Sequence, residues 1–225
     1  MERNKVDLKI SIAINLIIFV LTVTASIMMF TGFKFMEAEP LLESTRIGML
    51  RFFTVDSNLL VGVVALIFAI KEIQFLRGKT KEISKKILVL KMTASTAVGL
   101  TFVTVFAYLG PISPGGIPSM LKNSNLFLHL IIPVLSMLVF ALYERTNKIK
   151  FRYTLFGILP TVIYAIGYVI NILVHIENGK VSPIYDWYWF VQGGLWQIVI
   201  VLPLMIFITY IICVMLWRIN KKNEN

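Results

Sequence analysis

Two side chains in this sequence have the types and depth to act as a nucleophile and its base. Thr54 and His129 each lie four residues inside an apolar run, roughly 6 Å along a helix axis at 1.5 Å per residue. A threonine hydroxyl is a poor nucleophile until a neighbour takes its proton. Neutral imidazole suits that task near neutral pH. Around the pair are groups able to hold a substrate or donate to a developing oxyanion: Arg51, Asn58, Asn125, Asn171, His175 and Gln197. The residue types therefore fit acyl transfer from an ester. The competing account is local: a membrane threonine commonly bonds its own i−4 carbonyl, and a buried histidine commonly bridges two helices. Asp56 carries the charge in this stretch but points away from the face shared by Arg51, Thr54 and Asn58, by about 160–200° at 100° per residue.

These residues are positioned by membrane helices. The chain has 225 residues, 57% hydrophobic and only 15% charged, with a mean hydropathy of +0.80. A soluble domain carries about a quarter charged residues. Six runs are near bilayer length: 10–30, 50–70, 87–109, 125–143, 153–175 and 195–217. The expected fold is an all-α integral membrane bundle of six helices, one polytopic domain over 1–225. The first run is too long for a signal-peptide core and has no Ala-x-Ala site after it.

The net charge of +10 follows the topology and does not call for nucleic acid. Sixteen of the 22 Lys and Arg fall in alternate connections, six of them in residues 71–86. The positive-inside rule then places both termini in the cytoplasm of a cell-membrane protein. The basic 71–86 loop is expected to meet anionic lipid. Depth is the second regularity. Thr54, His129, Asn171, His175 and Gln197 come from four spans and fall in one outer layer, whereas the inner halves of the second, fourth and sixth spans read as nearly apolar. That is the pattern of a one-sided pocket.

Several stretches carry weaker expectations. Ser11, Asn15, Thr22 and Ser26 lie on one face of the first span and read as helix–helix glue. Pro40-Leu-Leu42 suggests a short interfacial turn, Gly110 to Pro118 a turn-rich loop without regular helix, and Pro133 a kink. Tyr185-Asp-Trp-Tyr-Trp-Phe190 reads as an aromatic belt at headgroup level. The lone Cys213 excludes an intrachain disulfide. His129, His175 and Asp56 have ligand types suited to zinc, but no HExxH or CxxC spacing supports them, so no metal or other cofactor is expected.

Arg51-Phe-Phe-Thr54 in the second span and Asn125-Leu-Phe-Leu-His129 opening the fourth resemble motifs of a known family, as do Gly167-Tyr168 and His175 in the fifth. The family is that of the androgen-induced and androgen-dependent TFPI-regulating proteins and their six-span bacterial relatives. Its animal members are threonine hydrolases that cleave fatty acid esters of hydroxy fatty acids. The resemblance implies Thr54 as nucleophile, His129 as its partner, and membrane lipids or acyl esters as substrate. An acyltransferase using the same pair and a non-enzymatic transporter of lipid or small molecules are the rival readings. Neither paired repeats nor a midplane site favours the transporter.

Overall fold

The computed structural model describes residues 5–37, 44–144 and 149–222. Six helices are long and apolar enough to cross a membrane: α1 (Lys5–Thr31), α2 (Phe53–Leu76), α3 (Lys85–Ile112), α4 (Ser124–Leu142), α5 (Phe151–Val174) and α6 (Leu195–Lys222). Most outlast the hydropathy-based spans, because their charged ends continue the helix beyond the apolar run. The segment Pro40-Leu-Leu42 lies outside the described residues. Just after it a 3₁₀ turn, Arg46–Arg51, leads into α2.

The hub is α3. Two thirds (67%) of its apolar window is buried, against 17% for α6. Small residues make that position workable, since they let neighbouring backbones come close. A Cβ on Gly99 would meet Ile212 at 2.9 Å and Met137 at 3.1 Å, so α3 is clasped between α4 and α6 at that level. Gly62 gives α2 the same closeness to Thr22 of α1. Hydroxyl pairs tie the helices crosswise: Ser57–Thr101 at 2.9 Å, Ser95–Ser136 at 2.9 Å and Thr161–Thr209 at 3.1 Å. The outer surface is apolar, with Val20 and Ile27 on α1 and Val199, Leu204 and Phe207 on α6 exposed, as hydrocarbon solvent demands.

Two π-helical turns interrupt the ladder, Val105–Leu109 in α3 and Phe127–Ile131 in α4. Each directly precedes a proline-bearing turn, at Pro111 and Pro133. A proline ring collides with the carbonyl four residues back, and the wider π turn moves that carbonyl aside. This lets α3 run through Pro111 to Ile112; a separate short helix forms at Gly116–Ser119, where composition suggested an irregular loop. In α6, Pro203 sits inside the helix.

The aromatic stretch 185–190 is only in part on the surface, with Tyr185 exposed and Trp187 and Trp189 half-buried. Asp186 is fully buried and Tyr188 and Phe190 nearly so. The segment follows a two-stranded hairpin (Ile176–Glu177 with Lys180–Val181) and folds inward over the bundle end.

Candidate functional site

The polar groups gather at the two ends of the bundle, in two separate layers. At the end remote from the basic 71–86 loop, the start of α2 is held by tyrosines. The Phe53 amide, one of the orphan donors of a helix N-terminus, donates to the Tyr188 hydroxyl at 2.8 Å. Tyr164 donates its hydroxyl to the Arg51 carbonyl at 2.5 Å and accepts from Trp187 Nε1 at 2.9 Å. Burial pushes the Tyr188 hydroxyl up to about 12. The roof is pinned in turn by Asp186. Its carboxylate accepts from the Tyr168 hydroxyl, from Phe190 N at 2.9 Å, from Val191 N at 3.1 Å and from Gln192 Nε2 at 2.7 Å.

Beneath this roof lies a cavity of about 50 Å³ bounded by α2, α3, α5, α6 and the 188–190 segment. Thr54, Thr101, Thr104 and Thr161, with Tyr164, Tyr168 and Tyr188, bring hydroxyls to a wall that is otherwise apolar. Thr104 Oγ1 faces Met205 Sδ at 3.9 Å. The volume suits a few waters and no more.

His129 is nearly buried, at 4% exposure, and does not line that cavity. Its Nδ1 lies 2.7 Å from the Met120 carbonyl. A carbonyl only accepts, so this contact assigns the proton to Nδ1 and leaves the lone pair on Nε2. Asn58 joins the two candidate elements. Its Nδ2 donates to the Thr54 carbonyl at 2.7 Å and to the Leu128 carbonyl at 3.0 Å, so one amide bridges the turns that carry Thr54 and His129. Both Nδ2 hydrogens are thereby used, and the buried Oδ1 has no partner. In this arrangement Asn58 is a strut with no hydrogen left for an oxyanion.

The remaining candidates fall elsewhere. Asn171 donates to the Tyr185 carbonyl at 2.7 Å. His175 holds the Asn171 carbonyl through Nδ1 at 2.8 Å and stacks on Tyr185 with centroids 3.6 Å apart. Gln197 accepts from the Gly193 amide at 2.7 Å, closing the turn before α6. Asn125 is half-buried. Arg51 lays its guanidinium 4.8 Å from the Phe52 ring centroid and 5.9 Å from that of Trp187, with Nε buried and unpaired. Among the described residues no group of three His, Cys, Asp or Glu comes together that could hold a metal ion.

The second layer, at the end nearer the basic loop, is built from the first and third spans and from residues just past the apolar inner halves of the second, fourth and sixth. Ser11, Asn15, Glu72, Lys91 and Glu144 are all fully buried. Ser11 donates to Glu72 at 2.8 Å, Asn15 Nδ2 to Glu144 Oε1 at 2.6 Å, and Lys91 Nζ to Asn15 Oδ1 at 2.5 Å. Lys91 Nζ also lies 3.5 Å from Glu144 Oε1. The Glu144 carbonyl accepts from Asn220 at 2.6 Å, which brings α6 into the cluster. Five helices thus meet on a charged network. Its signals in the sequence were Lys91 inside a span and the Ser11–Asn15 stripe; the carboxylates were hidden at helix ends.

No family model matches the chain, and no curated protein or solved structure matches it either.

Proposed function

We propose that the protein is an intramembrane lipid-ester hydrolase in which Thr54 is the nucleophile and His129 the base. The observation that carries the reading is the place of Thr54: a hydroxyl on the first turn of α2, lining an apolar cavity at one end of a membrane bundle. Two further features support it. The Asn58 strut keeps the His129 turn beside the Thr54 turn, and the Met120 carbonyl sets the tautomer whose Nε2 can accept a proton. The Arg51 to Thr54 and Asn125 to His129 motifs, with their likeness to membrane threonine hydrolases, point the same way.

In this mechanism Thr54 Oγ1 attacks the acyl carbonyl while His129 Nε2 takes the hydroxyl proton. The tetrahedral intermediate collapses, and the alcohol leaves with that proton. Water, deprotonated by the same nitrogen, then attacks the acyl-threonine and releases the fatty acid. Thr104, on the same cavity wall, is a candidate donor to the oxyanion. Proton transfer needs Nε2 within hydrogen-bond reach of Oγ1, directly or through one water. The π turn Phe127–Ile131, a backbone irregularity frequent at functional sites, supplies the freedom for that approach. Arg51, stacked on Phe52 and Trp187, would hold a carboxylate on the lipid. With both termini and the 71–86 loop cytoplasmic, the cavity would open in the outer leaflet of the cell membrane.

The test is labelling of purified protein by a serine/threonine-hydrolase probe, with release of fatty acid from a hydroxy-fatty-acid ester measured alongside. Thr54→Ala and His129→Ala should abolish both in proteins that unfold like the wild type, and Thr54→Ser should retain labelling. Labelling that survives Thr54→Ala overturns the assignment. Transfer of the acyl group to an added lysolipid, in place of free fatty acid, would make the enzyme an acyltransferase.

A further inference from the structure

A groove runs along the outside of the bundle between the start of α3 and the start of α5, remote from Thr54. Its volume is about 310 Å³. Val89 and Leu90 of α3 and Phe156 and Leu159 of α5 form its walls, and Lys85, Lys86 and Tyr153 stand at one end. Leu90, Phe156 and Leu159 are exposed at 38%, 45% and 44%, so the apolar wall is open to whatever surrounds the helices.

The charge at the groove's end is unbalanced. Lys85 Nζ sits 4.8 Å from the Tyr153 ring centroid and Arg152 Cζ 5.2 Å from the same centroid. Arg152 Nη2 also donates to the Tyr153 hydroxyl at 3.4 Å. Lys86 adds a third cation. Among the described residues none of the three lies in a salt bridge with a carboxylate; the ion pair of Lys91 with Glu144 is buried elsewhere. Cations drawn around one ring repel each other unless an anion sits among them. A phosphate there would take hydrogen bonds from lysine and arginine together, and an acyl chain below it would cover the exposed leucines and phenylalanine.

We propose that this groove is a binding site for one anionic glycerophospholipid, its phosphate held by Lys85, Lys86 and Arg152 and one acyl chain lying along Val89, Leu90, Phe156 and Leu159. A basic pocket between membrane helices is the recognised physical setting for such headgroups. The site is independent of the chemistry proposed at Thr54.

Purified full-length protein in nanodiscs of mixed phosphatidylglycerol and phosphatidylcholine, released into native mass spectrometry, tests this directly. One phosphatidylglycerol should remain bound in preference to phosphatidylcholine. Lys85→Gln with Arg152→Gln should lower its retention by roughly thirtyfold, on the scale of two basic residues facing anionic lipid. Val89→Trp, which fills the groove and leaves every charge in place, should also lower it. All these side chains are at or near the surface, so the melting temperature without lipid checks folding. Equal retention of the two lipids by the wild type, or undiminished retention in both variants, overturns the proposal. Protection of the protein by soluble glycerol phosphate as strong as that by the lipid would also overturn it, because the groove would then play no part.

Discussion

Replacing Lys91 by methionine removes the one cation that the described residues bring to a fully buried cluster, while preserving most of the side-chain volume. In the wild type its ammonium is 2.5 Å from Asn15 Oδ1 and 3.5 Å from Glu144 Oε1. Without it, Glu144 stays in the interior with one oxygen bonded to Asn15 and the other, Oε2, already lacking a donor. Breaking one side of a buried ion pair costs about 3–5 kcal/mol, since the surviving charge keeps its desolvation penalty and loses its compensation. A loss of ~3 kcal/mol is a shift of roughly a hundredfold in the folding equilibrium. Lys91→Met/Glu144→Gln discharges both partners and leaves an amide oxygen for Asn15 Nδ2, so it should regain most of the loss. Unfolding of purified protein in mixed micelles, followed by tryptophan fluorescence, gives the free energies of the wild type and the two variants. A single-variant loss below about 1 kcal/mol, the scale of a solvated surface pair, would refute the reasoning. So would a double variant no more stable than Lys91→Met.

Two other perturbations follow from the packing. A Cβ at Gly157 would stand 2.4 Å from Cys213 Sγ. Gly157→Ala should therefore cost about 1–3 kcal/mol in the same assay, with Cys213→Ala restoring only part of it, because the Cys213 Cβ would still stand 2.8 Å away. The Tyr188 hydroxyl, pushed up to about 12 by burial, keeps its proton in the folded state at pH values where an unfolded tyrosine, near 10, has lost it. Its contribution is thus intact below about pH 10 and falls as pH rises toward 12. Tyr188→Phe should flatten that alkaline decline relative to the wild type. It should also lower stability at neutral pH by about 1–3 kcal/mol, because the Phe53 amide loses its acceptor.

The six helices were legible because apolar length alone separates a membrane span from its connections. Their ends were not. Glu72 lies beyond the apolar run of α2, yet helical structure continues to Leu76 and carries it inward to Ser11, 61 residues away in sequence. Ser11 and Asn15 were recognisable as interhelical glue, but periodicity names a face and not its partner, and the partners were carboxylates at helix ends. Asp186 shows the same limit. Within a run of aromatics it suggested a wet interface, and only the four donors around it explain how it is buried. At the candidate site, span position suggested one depth for Thr54 and His129, whereas they stand as the second residue of α2 and the sixth of α4. The Met120 carbonyl that fixes the imidazole was not readable, because it comes from a loop without periodic pattern.

The contacts between α5 and α6 are unevenly placed, and this has a mechanical consequence. Toward the basic end Gly157 lies against Cys213, and one turn further Thr161 is bonded to Thr209. Past that point the two helices part around the cavity, where α6 contributes Leu202 and Met205. The roof travels with α5, since Asp186 is anchored to Tyr168. Pro203, which breaks one rung of the α6 ladder, stands at the same level. The least costly way to widen this chamber is for the far end of α6 to swing like a sash about the Thr209 pivot. That movement leaves the tyrosine roof shut and opens a slot facing hydrocarbon. Under the proposed function, an acyl ester would enter through that slot sideways from the membrane, chain first.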